Sequence, residues 1–433
     1  MTPGEWGPQV TGGRRLNGWG RLGLALAMLG VIAVTAISVT TLMLIQQAEA
    51  SLTRVTLDQL DEVTEASNAR HFLVVGSDSR EGLAPDERRG LTLGEFEGQR
   101  SDVIIYVSVS EDRRGISLVS LPRDLLVNDE SGRQIKLADA FAAGPNALVA
   151  TIQRNFGLPV HHYASISLGG FINVVETLGG VTIDVPEPLR DERSGADFSS
   201  GVQHMTPDEA LAYIRSRRGV RADFARIDRQ QQFLRAIIRD LVSARVLSNP
   251  PQLFQLVDDV GSNVTTDESL TIGEMYDLAD EFRQVVQDGF SMTTVPSYTR
   301  KINGVDYVIA YRPGAEAIFE SLRRGEPLAD RGTSNERADT VVAVWWGEHL
   351  RAADTIVVPT LIYSGFQAGG AGIGPDTAHA DGTTRVFVVN GNADQAAWVA
   401  ATLGVRPEPL PDGVAAPQDA DVVVSVGADA STS

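Results

Sequence analysis

Cysteine is absent from all 433 residues, which excludes disulfides, thiolate zinc sites and cysteine nucleophiles together. Its absence suits a chain that folds outside the reducing cytoplasm without covalent cross-links. Lysine is scarce: Lys136 and Lys301 are the only two, so the 37 basic residues are almost all arginine. Acidic residues number 56 and the formal net charge is -19, which argues against nonspecific nucleic-acid binding by the molecule as a whole. There is no P-loop, no serine in a G-x-S-x-G setting and no internal repeat. P-loop NTPases, nucleophile-elbow hydrolases and repeat arrays are therefore set aside. His71, His161, His162, His204, His349 and His379 show no metal-ligand spacing and read as structural. What remains is a 43% hydrophobic composition, ordinary for a globular protein and sufficient for a sizeable core.

One long apolar run is present. Leu22–Ile45 carries no charge and is long enough at helical rise to cross a hydrocarbon core. Arg14, Arg15 and Arg21 precede it and Glu49 follows, so residues 1–21 are expected to stay cytoplasmic and the chain beyond the span to lie outside. Ala48-Glu49-Ala50 also resembles a signal-cleavage site, but the apolar region is longer than a cleaved signal needs and favours a single-pass anchor. Residues 46–69 read as a polar stalk, helical over 46–68 from the spacing of Leu52, Val55, Leu60 and Val63.

From residue 70 to 328 short apolar runs alternate with helical patterns. Strands are predicted at 71–76, 103–110, 115–121, 163–168, 181–185 and 290–295. Helices are predicted near 137–156, 169–178, 206–216, 225–247, 250–260, 271–287 and 313–324, the one at Thr206 opening with a capping box and a first-turn proline. This interleaving predicts an α/β domain whose central sheet is flanked by helices on both sides. Residues 329–340 read as a charged linker. A small α/β domain is expected over 341–427, with strands at 340–346, 355–362, 385–390 and 421–427, a helix at 392–403 and a glycine-rich loop at 365–382. The tail 428–433 is expected to be disordered.

Arginine and aspartate recur where these elements end. Asp78 and Arg80 follow the first buried strand, and Arg100 and Asp102 precede the second. If those strands are neighbours their loop ends converge on one sheet edge, and the two carboxylates could share a hard cation such as magnesium. Each aspartate alone reads as readily as a turn or cap residue. Arg123-Asp124 ends a further strand, with Lys136 a short loop later; the bland alternative is a surface ion pair worth little. The densest cluster places Arg215, Arg217, Arg218, Arg221, Arg226 and Arg229 against Asp223 and Asp228, with Gln230 and Gln231 adjoining. Planar guanidinium forks suit phosphate oxygens, although a solvated basic helix face gives the same composition. By itself the cluster indicates an anion site without saying which anion.

These clusters, in this order, resemble the LytR-CpsA-Psr family of Gram-positive cell-envelope proteins. The resemblance rests on FLVVGSDSR (72–80), RSDVIIYVSV (100–109), ISLVSLPRD (116–124), INVVETLGGVTIDVPEPLRD (172–191), GVQHMTPDEALAYIRSR (201–217) and DFARIDRQQQFL (223–234), and covers about 70–330. It implies an enzyme that moves a glycopolymer from a polyprenyl-pyrophosphate carrier to peptidoglycan, usually to the C6 hydroxyl of N-acetylmuramic acid, leaving a phosphodiester. It further implies that Asp78 and Asp102 bind magnesium (or manganese), and that Arg100, Arg123, Arg215 and Arg217 hold the pyrophosphate. Arg80, Lys136, Arg226, Arg229 and Gln230 or Gln231 are implied nearby, the choice of glutamine staying open. Where the family often has Lys-Ile-Asn, this chain has Lys136-Leu-Ala. A hydrophobic tunnel for the lipid is implied, with candidate lining on helices 169–178 and 225–247. Residues 385–391 and 421–427 resemble a divergent form of a small C-terminal domain found beside the family.

Overall fold

The computed structural model describes residues 46, 49–62, 69–77, 101–110, 115–216, 222–242, 261, 263–275, 277, 290–346, 350–375 and 382–432. The chain divides into two units, Met1–Ala50 and Ser51–Ser433. The expected span 22–45 lies outside the described residues, as do the expected helix 250–260 and most of 271–287. No helix among the described residues is long and apolar enough to cross a membrane.

The second unit is built on a seven-stranded mixed sheet. Its strands are β1 (Thr53–Val55), β2 (Arg70–Ser77), β3 (Ser101–Val109), β4 (Ile116–Leu121), β5 (His162–Ile166), β6 (Val264–Asp267) and β7 (Ser291–Thr294), in the order β1-β6-β5-β2-β3-β4-β7. β2 pairs antiparallel with β3 and parallel with β5, and β4 pairs antiparallel with β3 and parallel with β7. Alternate residues bury on opposite faces. Leu73, Val75, Ile104, Tyr106 and Val119 face a core that includes Leu148 and Ile152 of α1 (Pro145–Phe156) and, later in the chain, Ile318 and Leu322 of Arg312–Arg323. Phe72, Ile105, Val107 and Leu118 face the other side with Ile238. Strands covered on both faces read as continuous apolar runs, which is how these appear in the sequence.

Helices α2 (Leu168–Thr177), α3 (Pro207–Arg215) and α4 (Ala222–Val242) belong to that second side, where Val175, Tyr213, Ala236 and Ile237 share one cluster with the hairpin of Val181–Val185 and Gly201–Met205. The capping box predicted for α3 forms: Thr206 Oγ1 accepts from the Glu209 amide and Glu209 Oε2 accepts from the Thr206 amide. The predicted helix over 137–156 is broken in two, Leu137–Ala142 and α1, because Gly144 at φ 111 and Pro145 at the first helical position restart it.

Among the described residues the stalk is helical only at 46 and 49–51. Thr53–Val55 is a strand paired with Thr265–Asp267. Leu52 is buried, and Arg54 donates to Thr266 Oγ1 and to the carbonyls of Asp267 and Leu270. Those long-range partners outweigh the weak helical spacing. A second unforeseen pairing is the hairpin Ser297–Ile302 and Val305–Ala310, turned by Asn303 at φ 50 and Gly304 at φ 83. That is the Asn-Gly chemistry of a tight hairpin, and it stood in the sequence unread.

The C-terminal region is a five-stranded sheet of β8 (Val341–Trp345), β9 (Gln367–Gly372), β10 (Arg385–Val388), β11 (Pro407–Pro409) and β12 (Val422–Ser425), in the order β9-β8-β12-β10-β11. Between the β8 and β9 ranges, residues 353–363 are helical and not the expected strand. Ala353, Val357 and Leu361, four apart, are all fully buried, so helical spacing prevails over a β-branched run. The glycine-rich stretch expected as a loop contains β9, and a Cβ on Gly370 would lie 2.5 Å from the Trp346 ring. The tail is also ordered: Ala428–Thr432 forms a 3-10 turn, with Asp429 accepting from the Thr384 amide and hydroxyl. The expected linker carries a capped helix, Ser334–Asp339, and buries Arg331 and Arg337.

The two regions share a core. Tyr298 and Tyr311 from the larger region bury in the cluster of Val342, Phe366 and Val422. Gly314, in the helix Arg312–Arg323, admits the Thr402 carbonyl to within 1.9 Å of where a Cβ would stand.

Asp267 yields a prediction. Its carboxylate is buried and accepts from the amides of Tyr163, Ser269 and Leu270, with His162 Nδ1 at 3.5 Å. Burial alone would raise it, but these bonds prevail and hold it at about 2, against an ordinary 3.8. A depressed acid stabilises the fold above its unfolded value and loses that contribution as pH falls through the folded one. Asp267→Asn is expected to lower stability at neutral pH by roughly 2 kcal/mol and to flatten the acid limb between about pH 4 and 2, measured by urea denaturation across that range.

Candidate active site

Strand register brings the motif ends together. Gly76 at the end of β2 lies opposite Val103 on one side and Ile166 on the other. Ile104 lies opposite Leu121 at the end of β4, and Ser120 opposite Thr294 at the end of β7. Asp102, Arg123, Ser167 and Thr294 therefore sit at one edge of the sheet. Pairing between β2 and β3 slips between Gly76 and Ser77, an irregularity that re-aims the chain at a site edge.

A cleft of about 170 Å³ opens at this edge, with Ser77, Ser167, Arg215, Arg226 and Gln230 set among a mostly apolar lining of Gly76, Val103, Ile166, Leu168, Phe171, Leu211 and Ile214. Arg215 is in the last turn of α3, where a cation complements the helix dipole. Arg226 and Gln230 are one turn apart on α4 and so share a face. The N-terminus of α2 faces the same space. Ser167 caps it by accepting from the Gly170 amide at 3.2 Å, leaving the positive end of the helix at the cleft. Glycine at 169 and 170 is what lets this turn approach the chain: a Cβ on Gly170 would lie 2.7 Å from Ile166 Cγ1, and one on Gly169 2.9 Å from Asn263 Oδ1. Ser167-Leu-Gly-Gly170 was missed in the sequence reading, although a Ser followed by paired glycines at a strand-to-helix junction was there as a signal.

The cleft adjoins an apolar cavity of about 160 Å³. Gly76, Val103, Ile166, Phe171, Ile214 and Gln230 border both; Val74, Ile105, Leu118, Ser120, Gln231, Phe233, Leu234 and Met292 border the apolar one alone. Phe171 and Phe233 close it with ring centroids 4.9 Å apart. The lining expected from the α2 and α4 segments is thus found around a real void between sheet and helices.

Not all the expected residues reach the cleft. Gln230 lines it, whereas Gln231 donates to Thr294 Oγ1 at 2.9 Å and fastens α4 to β7. Arg229 is buried, and its Nη2 donates to the Ser216 carbonyl at 2.6 Å while Ser216 Oγ donates to Asp191 at 2.8 Å. It fastens α4 to Ser216 at the end of α3, turned away from the cleft by helical geometry. Burial lowers its guanidinium from the ordinary value, against the pull of Tyr213, Asp228 and Asp191. Lys136 and Arg123 lie outside the lining too. Lys136 Nζ is 2.8 Å from Asp124, and Arg123 Nε is 3.5 Å from the same carboxylate. Burial works to raise Asp124, but the Lys136 bond and Arg123 together leave it below the usual carboxylate range. Asp78, Arg80, Arg100 and Arg217 lie outside the described residues, and Asp102 is described in its backbone only.

Two arginines at the cleft thus stand beside an apolar cavity with which the cleft shares a border. The profile of the LytR_cpsA_psr family matches residues 38–324, and the chain belongs to that family. It is similar to the probable cell wall biosynthesis protein LcpB of Corynebacterium glutamicum, with 32% identity over 298 residues, 68% of this chain and 70% of LcpB. It is also similar to the polyisoprenyl-teichoic acid–peptidoglycan teichoic acid transferase TagV of Bacillus subtilis, 33% identical over 185 residues, 40% of this chain and 46% of TagV. The chain thus spans less than half the length of TagV. Among solved structures, the LytR-Csp2A-Psr enzyme from Actinomyces oris superposes with a TM-score of 0.50 at 24% identity, covering 63% of this chain and 95% of that one. It shares the fold.

Arg226 and Arg229 of α4 separate in a stability measurement. Arg229→Met is expected to cost about 1.5–3 kcal/mol through the lost charge-assisted bond, and Arg226→Ala to stay within about 0.5 kcal/mol of wild type, both read from urea unfolding.

Proposed function

We infer that this chain transfers a glycopolymer from a polyprenyl-pyrophosphate carrier to peptidoglycan. The observation that carries the inference is the shared border of the two cavities, at Phe171, Ile214 and Gln230. A molecule with a doubly phosphorylated head and a hydrocarbon tail needs both environments in contact, because a charge in the apolar cavity or a tail in water is unfavourable. The family membership and the activity in TagV's name support the same reading.

In this reaction the acceptor hydroxyl of peptidoglycan attacks the phosphorus that carries the glycan. The new P–O bond forms as the P–O bond to the polyprenyl phosphate breaks, and polyprenyl phosphate leaves with the electron pair. Phosphoryl transfer requires positioning and charge stabilisation more than a protein nucleophile. Arg215 and Arg226, with the α2 N-terminus, supply donors where charge accumulates. Hard carboxylate oxygens suit magnesium or manganese, and the β3 backbone starts Asp102 at the cleft rim, next to Val103. Asp78 and Asp102 would hold the ion, which when bound neutralises charge on the pyrophosphate. Asp102 or Asp124 takes the hydroxyl proton; Asp124 is tied to Lys136 and held below its ordinary value. The reading includes Leu22–Ile45 as a single membrane span that keeps the cleft on the outer side of a Gram-positive membrane.

Arg215→Ala is expected to slow transfer from lipid-linked glycan to peptidoglycan oligomers by roughly 10²-fold or more; full rate would reject its role. Ser120→Phe, which puts a ring into the apolar cavity, is expected to abolish binding of the polyprenyl carrier while the protein remains folded by circular dichroism. Release of free glycan phosphate in the presence of acceptor would identify a pyrophosphatase instead, and carrier binding with neither product a binding protein.

A further inference from the structure

A third cavity lies where α4 and β7 meet the C-terminal region. Its walls include Asp228, Thr294, Arg331, Arg337, Gly365 and Thr402, and it shares no lining residue with the cleft or, beyond that, with the apolar cavity. Two guanidinium groups border it, each residue only 8% exposed. Arg337 donates to the Gly332 carbonyl at 2.7 Å, and Asp228 is close enough to favour its charge. Arg331 differs. Among the described residues no carboxylate or carbonyl accepts from its side chain, and its Nε is buried without an acceptor. Burial, and then the neighbouring Arg337, hold its guanidinium down at about 10.

A buried cation with no counter-charge is one of the costlier features a fold can keep. Asp228, Glu336 and Asp330 favour the charge on Arg337, with Arg235 opposing it, whereas burial and Arg337 both work against the charge on Arg331. The cavity's volume, about 20 Å³, admits a small ion and excludes a sugar or nucleotide. Guanidinium groups present parallel N–H donors that match a tetrahedral oxyanion. The cavity wall also reaches the catalytic sheet, because Thr294 Oγ1 accepts from Gln231, which lines the apolar cavity.

We propose that this cavity binds a small oxyanion of the phosphate class between Arg331 and Arg337, and that the bound anion fastens the C-terminal region to the sheet edge carrying the cleft. The full chain is tested by thermal unfolding while sodium phosphate replaces sodium chloride at constant ionic strength. Wild type is expected to show a saturable rise of a few degrees in Tm. The rise persists in Arg215→Ala, which separates this site from the cleft, and vanishes in Arg331→Met. In chloride, Arg331→Met is expected to unfold no earlier than wild type, since it removes an uncompensated buried charge. A parallel arm with glycerol phosphate distinguishes an esterified headgroup or polymer phosphate from the free ion, and a response to either supports the site. A non-saturating rise, equal in wild type and Arg331→Met, is the general effect of phosphate on burial and overturns the proposal. So does a saturable rise that disappears in Arg215→Ala. Should Arg331→Met fail to fold, an absent phosphate response in wild type overturns it equally.

Discussion

The cleft depends on the pairing of β2 with β3 on one side and β5 on the other. Through Gly76 that register aligns Val103 with Ile166, so three chain segments far apart in sequence end at one height on one edge. Moving β2 by a single residue would exchange Leu73 and Val75 with Phe72 and Val74 between the two cores and carry the motif ends away from each other. Apolar packing on both faces of the sheet thus sets the position of polar chemistry at its rim. The helices follow from this arrangement: α2 leaves β5 directly into the cleft, and α4 lies over the void that its own aromatic side chains help to enclose.

Oil and charge are kept apart by about two turns of helix. Along α4, Arg226 faces the cleft, Gln230 borders both spaces, and Phe233 and Leu234 face the apolar one. Helical periodicity grades the environment from anion-binding to hydrocarbon-like over about 10 Å, close to the dimension over which a lipid headgroup gives way to its tail. Arg229 and Gln231, on other faces of the same helix, are used to hold it in place. Such precision is what a site built on a rigid element gains over one built on a loop.

Much of this was legible in the sequence because local signals agreed with tertiary ones. The apolar runs of β2, β3 and β4 had no alternative as surface elements, and the capping box at Thr206 fixed the start of α3. Legibility failed where partners distant in sequence decided the outcome. Thr53–Val55 becomes a strand through Arg54 and the β6 edge, and the 353–363 segment becomes helical through burial at four-residue spacing. Within the arginine cluster, composition could not separate Arg226, which reaches the cleft, from Arg229, which is buried behind it. That distinction is an angle around a helix axis whose reference direction only packing supplies. Lys136 and Arg123 were drawn to Asp124, the local ion pairing that the sequence had offered as the alternative to an anion site.

The insertion of Tyr298 and Tyr311 into the C-terminal cluster, with Gly314 pressed against Thr402, has a consequence for how such a chain can diversify. A module that merely hangs from a linker can be lost or exchanged by recombination with little damage to its neighbour. Here a cut at 329–340 would strip two tyrosines of their cover and leave an aromatic scar on the larger piece. Descent should therefore have altered this appendage by drift within its strands and loops, with the seam itself passed on intact.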